Sequence, residues 1–168
     1  MIICRPASPA DLELIWDNDF AQSPEWPLAW KESSVRDNAA GLCKAFGIFD
    51  GEAAIGTGTL LFSSECEAIN GRPELADGVN TANINALRIN KPYRGQGHIS
   101  KLVRMMEQYA RDAGYGTLTI GVEPKESRNL AIYLHWGYDK FIMPAFEEPL
   151  EDDKTEEKDL VLYYAKQL

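Results

Sequence analysis

The chain is poor in the side chains that build metal centres and disulfide frameworks. It has three cysteines, Cys4, Cys43 and Cys66, and two histidines, His98 and His135. The cysteines are odd in number, widely spaced and form no Cys-x-x-Cys pair, which argues against a disulfide scaffold or a zinc site. Two imidazoles leave metal chemistry short of ligands, so no metal is expected. Missing too is any apolar run near the roughly 18 residues that span a bilayer. The opening Met1-Ile2-Ile3-Cys4-Arg5-Pro6 has no long apolar stretch of the secretory kind, so a cytoplasmic protein is expected. Basic charge is in deficit, with 17 Lys and Arg against 26 Asp and Glu and a formal net charge of −9. Nucleic acid and anionic membrane surfaces both want a basic face, so neither partner is expected. The acidic excess keeps the protein soluble and mildly favours a cationic substrate.

What is present suits a globular protein. The 168 residues are 45% hydrophobic and 26% charged, which fits one domain over 1–168 with a real core. Ile2 to Cys4 reads as a first strand. Ser8-Pro9-Ala10-Asp11 is a helix start, with a capping Ser, Pro at the first helical position and Asp three after the cap. Leu12, Ile15 and Trp16 then form one apolar face. A weaker helix follows over Ala29 to Lys44. Ala45 to Phe49 and Ala53 to Phe62 read as strands around an Asp50-Gly51 turn. Ser63 to Asn80 is polar and reads as a loop. Thr81 to Ile89 is the fourth strand.

The strongest helical pattern comes next. Ile99, Leu102, Val103, Met106, Ala110 and Ala113 share one face, and Lys101, Arg104, Glu107, Gln108 and Arg111 the other. Gly114 stops it. Thr117 to Val122 is a strand, Ser127 caps a helix through Trp136, and Gly137 ends it. Tyr138 to Met143 and Leu160 to Ala165 are the last strands. The order β-α-α-β-β-β-α-β-α-β-β is that of a mixed α/β sheet, not a strictly alternating one.

Chemistry concentrates between the fourth strand and the strongest helix. Gly95 and Gly97 let the backbone approach a ligand closely. The helix that follows offers unpaired N–H groups and a partial positive charge. Together they make a site for phosphate or pyrophosphate, to which Arg94 adds a guanidinium.

The stretch from Ala82 to Gly97, ending Arg94-Gly95-Gln96-Gly97, resembles the coenzyme-binding region of the GNAT superfamily of N-acetyltransferases. That loop reads Gln/Arg-x-x-Gly-x-Gly/Ala, between a strand and a long helix. Arg94 and Gly97 match its first and fourth positions. Ile99 stands where Gly or Ala is usual, a departure that leaves its effect on the pyrophosphate and the helix start open, while its backbone N–H survives any side chain. The resemblance implies the acyl-CoA N-acyltransferase fold, a mostly antiparallel sheet of about seven strands with helices on both faces. It implies that the fourth strand splays from the fifth and that acetyl-CoA is the acyl donor, bound along the fourth strand. Its pantetheine arm would meet the backbone near Leu87 and Ile89, and its pyrophosphate the segment Arg94, Gly95, Gln96, Gly97, His98, Ile99 and Ser100. A dinucleotide-binding loop is the rival, but Ser100 occupies its third glycine position and no ribose-binding acid follows about 20 residues on.

Ser127 to Tyr138 resembles the family's later motif, Asn-x-x-Ala-x-x-Leu-Tyr-x-x-x-Gly-Phe. Asn129, Tyr133 and Trp136 share a helix face. Tyr133 stands four before Gly137, and Tyr138 replaces the motif's Phe. Asn129 lies closer to Tyr133 than the motif spacing and is a further coenzyme contact by the same likeness. The likeness gives Tyr133 the role of general acid toward the leaving thiolate. The competing reading is a tyrosine packed on the sheet.

No general base is assigned. Asn83 and Asn85 cannot take a proton, and Glu25, Glu32 and Glu123 read as surface charges. Phe20, Trp26 and Trp30 read as core rather than cleft. The acidic segment 147–159 reads as solvated charge between the last strands. The expected activity is transfer of acetyl from acetyl-CoA to a primary amine of a small-molecule or peptide acceptor, by direct attack in a ternary complex. A homodimer is compatible with this. The rival functions are a non-catalytic acyl-CoA sensor of the same fold and a nucleotide- or phosphate-binding protein of another class.

Overall fold

A computed structural model describes residues 1–147 and 159–168. The elements run β1 (Ile2–Pro6), α1 (Pro9–Gln22), α2 (Leu28–Ala40), β2 (Cys43–Asp50), β3 (Ala53–Leu61) and β4 (Thr81–Ile89). A 3₁₀ turn, Lys91–Tyr93, precedes α3 (His98–Asp112), β5 (Thr117–Val122), α4 (Ser127–His135), β6 (Lys140–Glu147) and β7 (Asp159–Gln167). The order is the expected one. Helix α1 starts as its sequence dictates. The Ser8 hydroxyl accepts from the Asp11 N–H, and the Asp11 carboxylate accepts from the Ser8 N–H, each at 3.1 Å. Arg5 adds bonds of 3.1 and 2.8 Å to Asp11, and chiefly this guanidinium holds the Asp11 pKa down at about 2.

The seven strands form one sheet in the order β1-β2-β3-β4-β5-β7-β6. Every neighbouring pair is antiparallel except β4 and β5. Period-two alternation divides the strands between two faces. Phe46, Ile48, Leu60, Ala82, Ile84, Leu118 and Ile120 meet Leu102, Val103, Met106 and Ala110 of α3. Ala45, Phe49 and Ala54 meet Leu12, Ile15 and Trp16 of α1, with Phe20, Trp26 and Trp30 half-buried against them. Helices therefore cover both faces. Among the described residues no helix is long and apolar enough to cross a membrane.

Several local expectations are corrected. Helix α2 ends at Ala40 with Gly41 left-handed at φ 75°, and Cys43 and Lys44 belong to β2. The segment 63–80 is a loop, but Cys66, Ile69, Leu75 and Ala76 are buried with Cys43, Leu61 and Tyr163. Its isolated apolar residues have no period, so sequence alone reads it as polar. Glu126, not Ser127, precedes the first turn of α4, and it makes no side-chain cap. Strand β6 starts at Lys140 and runs on to Glu147, while β7 extends to Gln167. Of the acidic segment, 148–158 lies outside the described residues. Glu147 closes the β6–β7 pairing opposite Asp159 and accepts bonds from Arg72 at 2.6 Å and the Tyr163 hydroxyl at 2.8 Å.

Glu107 is the largest correction. It belongs by pattern to the polar face of α3, yet it is buried and bound by Lys166 of β7 at 2.6 Å. The Lys166 ammonium also stands 5.6 Å from the Tyr138 ring centre. Tyr138 is fully buried, and its hydroxyl is without a hydrogen-bond partner among the described residues. Burial, and secondarily the Glu107 charge, push its pKa far up, so the group stays a neutral, unsatisfied phenol. Replacing one such group by an apolar atom of the same shape removes a desolvation cost of about 1–3 kcal/mol. Tyr138→Phe is therefore expected to raise the urea midpoint. An unchanged or lower midpoint means that the hydroxyl has found a water.

Candidate active site

The site begins where two parallel strands separate. β4 pairs with β5 only from Thr81↔Thr117 to Ile84↔Ile120. β4 stays paired with β3 as far as Ile89↔Gly56, and β5 stays with β7 as far as Val122↔Leu162. Past Ile84 the β5-side edge of β4 faces no strand among the described residues, so its backbone donors and acceptors are available to an extended ligand. The apex is clasped by Asn83, whose amide donates to the Thr119 hydroxyl at 2.9 Å, which donates in turn to the Leu75 carbonyl at 2.8 Å. Asn83 is thus buried. Both faces of this central strand are covered.

A bulge sits in the splayed half. Thr59 pairs with Asn85 and Thr57 with Arg88, leaving Ala86 and Leu87 opposite Gly58. Ala86 takes φ 58°, the left-handed region that alanine resists. The extra residue reverses the alternation downstream. Leu87 and Ile89 turn to the α3 face, where both pack on the core. Arg88 turns to the α1 face.

Two polar pairs tie α1 to this half of β4. Asn18 and Asn90 exchange amide bonds of 3.1 and 2.8 Å. Arg88 grips the buried Asp19 through Nε at 2.9 Å and Nη2 at 2.6 Å.

The glycine loop lies between β4 and α3. Gly95 and Gly97 have φ 75° and 82°, and no heavy atom lies within 4 Å of where either Cβ would stand. This open cradle fits close approach by a pyrophosphate. Gly97 precedes α3 without a side-chain cap, and the first helical bond runs from the Lys101 N–H to the Gly97 carbonyl at 3.1 Å. The N–H groups before Lys101 are the helix's unpaired donors. Ile99 does not crowd them, because its side chain packs into the core beneath α3. Only the Ile99 backbone therefore remains at the loop.

The side chains around the loop are cationic. Lys91, Arg94, Lys101 and Arg104 occur within 91–106 without one acidic residue, in a chain of net charge −9. Arg94 donates from Nε to the Ile89 carbonyl at 3.2 Å, and its exposed guanidinium keeps further donors. This bond takes up one backbone group expected to serve the pantetheine. Gln96 holds the Pro92 carbonyl at 3.1 Å, and His98 lies 3.3 Å from Gln96. Arg104 donates to the Ser100 hydroxyl at 2.8 Å. Sequence reasoning missed Arg104, although its i, i+4 spacing from Ser100 was the available signal.

Helix α4 contributes the aromatic side. Tyr133 packs on the core, with its ring 5.7 Å from that of Trp136. Burial, aided by the Glu126 charge, raises the Tyr133 pKa. Asn129 is exposed at the start of the same helix. A cavity of about 170 Å³ is lined by Ser100, Arg104 and Glu107 of α3, by Trp136 and by Lys166. A larger hollow of about 910 Å³ lies by Thr81, Thr117 and Gln167, at the other end of the sheet from the glycine loop. Among the residues considered as bases, Glu25 and Glu32 are exposed and Glu123 pairs with Lys125 at 2.9 Å.

The family model described as Acetyltransferase (GNAT) family matches residues 11–138, which span α1, the splay, the loop and α4. The chain belongs to this GNAT acetyltransferase family. No curated protein matches it in sequence. The solved GNAT-like structures share its fold at low identity. The ribosomal-protein-S18-alanine N-acetyltransferase of Escherichia coli is 13% identical, with a TM-score of 0.71 over 99% of this chain and 94% of that one. An IAA acetyltransferase from Bacillus cereus is 16% identical, with a TM-score of 0.68 and full coverage of both chains. A GNAT family acetyltransferase from Elizabethkingia anophelis, solved with acetyl-CoA bound, is 15% identical, with a TM-score of 0.64 over 99% and 98%.

Proposed function

We propose that this GNAT protein is a cytoplasmic, single-domain N-acetyltransferase that moves acetyl from acetyl-CoA to a primary amine of a small-molecule or peptide acceptor. The observation that carries this is the parting of β4 and β5 after Ile84 and Ile120, directly before a glycine loop and an uncapped helix start. In this reading the main chain from Gly95 to Ser100, including Gln96, His98 and Ile99, cradles the pyrophosphate, helped by Arg94 and Arg104. The β4 backbone at Leu87 and Ile89 meets the pantetheine, and Asn129 adds a contact from α4.

Catalysis in this reading is positioning followed by a balanced transfer. The amine nitrogen attacks the thioester carbonyl, and a bulge N–H stabilises the oxygen as charge builds. The C–S bond breaks, and Tyr133 gives its proton to the departing thiolate. The amine proton leaves to water, and Tyr133 regains a proton from solvent. Burial keeps the Tyr133 phenol protonated through neutral pH, so the proton is in place when the thiolate departs.

Calorimetric titration tests the coenzyme half of the reading. Acetyl-CoA is expected to bind, and desulpho-CoA to bind through the same pyrophosphate contacts. Arg94→Ala should weaken both about tenfold, the size of one lost bond to a charged group. Binding of NAD in place of acetyl-CoA would move the site to the dinucleotide class.

A further inference from the structure

We infer that Arg88 is the acceptor-binding residue and that it selects an amine bearing a carboxylate on the adjacent carbon, an α-amino acid with an apolar side chain. The inference rests on the acetyltransferase reading of the cleft. Its basis is the bulge at Ala86, which carries Arg88 to the face opposite α3. There the guanidinium is clamped as a flat plate. Asp19 takes Nε and Nη2, Trp26 lies 4.9 Å from the guanidinium carbon and Trp16 lies 5.9 Å away.

The remaining nitrogen, Nη1, meets the Ala86 carbonyl at 3.5 Å, too long for a strong bond. That contact sets the free guanidinium edge beside the bulge, where an acetyl thioester held by Leu87 and Ile89 would end. The Arg88 side chain is 31% exposed, whereas Asp19 is 4% exposed. The pair therefore keeps part of the guanidinium accessible and buries its carboxylate.

A bare ion pair could serve only to hold α1 on β4. Here the adjoining Asn18–Asn90 exchange already does so without charge. A planar fork with two donors outward matches a carboxylate in geometry. The half-buried rings of Trp26, Trp30 and Phe20 on the same face suit an apolar substituent. Asp19 is not left over as a base, because both its oxygens hold Arg88. The amine proton goes to water.

Matched acceptors test this, with thiol release from acetyl-CoA as the readout. L-Phenylalanine and L-methionine are compared with phenethylamine and 3-(methylthio)propylamine, which lack the carboxylate, and with L-phenylalanine amide, which keeps only a carbonyl. The amino acids are expected to exceed their decarboxylated partners in kcat/KM by about 10- to 100-fold, mostly through KM. Because Arg88→Gln alone strands a buried Asp19, the double variant Asp19→Asn/Arg88→Gln is used, which keeps a neutral hydrogen-bonded pair. It should bring the ratio to about 1 by lowering kcat/KM for the amino acids, with acetyl-CoA affinity by calorimetry showing that the cleft is intact. Equal use of both members of each pair by the parent protein, or a ratio that survives the double variant, overturns the inference. So does acetyl-CoA binding with no turnover of any of these amines. Preference for the amide over the acid would assign Arg88 to a peptide N-terminus instead and also overturn it. Failure of acetyl-CoA itself to bind refutes the underlying reading separately.

Discussion

Tyr133→Phe should lower kcat by about 10²- to 10⁴-fold, the usual worth of a positioned general acid, while leaving acetyl-CoA affinity unchanged. The substitution removes one oxygen and keeps the ring that packs on the core beside Trp136. Folding is therefore preserved, and the loss can be assigned to chemistry. The pH profile gives a second readout. Burial raises the Tyr133 pKa above its ordinary value of 10.0, so the acid form persists to alkaline pH. In the parent protein any fall in rate due to this group should lie above pH 10, and the phenylalanine variant should lose that limb. Thiol release with the best amine found, followed from pH 6 upward, measures both. Unchanged kcat would return Tyr133 to a packing role.

Glu107→Ala should be the most damaging polar substitution, at about 3 kcal/mol. Removing one partner of a buried pair costs about 3–5 kcal/mol because it strands the other charge. The lower end applies here, since the Lys166 side chain keeps 24% exposure against 6% for Glu107. Lys166 would then lie over the Tyr138 ring with no counter-charge. Replacing both partners, as Glu107→Leu/Lys166→Met, should recover most of the loss, because apolar groups of similar volume avoid the desolvation cost. Urea unfolding of the parent, the single and the double variant measures this. A single variant as stable as the parent would mean that the site is wet and the pair screened.

Much of the fold was legible in the sequence because its signals were local. Ser8 and Asp11 form their capping box within four residues, and the apolar face of α3 repeats every turn. The glycine loop was legible for the same reason, since positive φ at Gly95 and Gly97 is a property of single residues. The misreadings share a different cause. Glu107 looks solvated on any helical projection of α3, and only the arrival of Lys166, 59 residues later, makes it a core residue. The buried residues of 63–80 follow no period, because they fill a hollow formed by β2, β3 and β7. Motif position alone left the effect of Ile99 open, and direction decides it, because its side chain packs on the core.

By itself, then, the sequence determined the order of elements, the capped start of α1, the glycine loop before α3 and the family. Each of these follows from near neighbours and from the conformations that Gly, Pro and Ser allow. Tertiary structure decided which side chains share the cleft. The Ala86 bulge, visible only in the pairing of β4 with β3, reverses the strand's alternation and sends Arg88 to Asp19, 69 residues away. One extra residue in a ladder carries no signature in composition or period, yet it exchanges the two faces of everything after it.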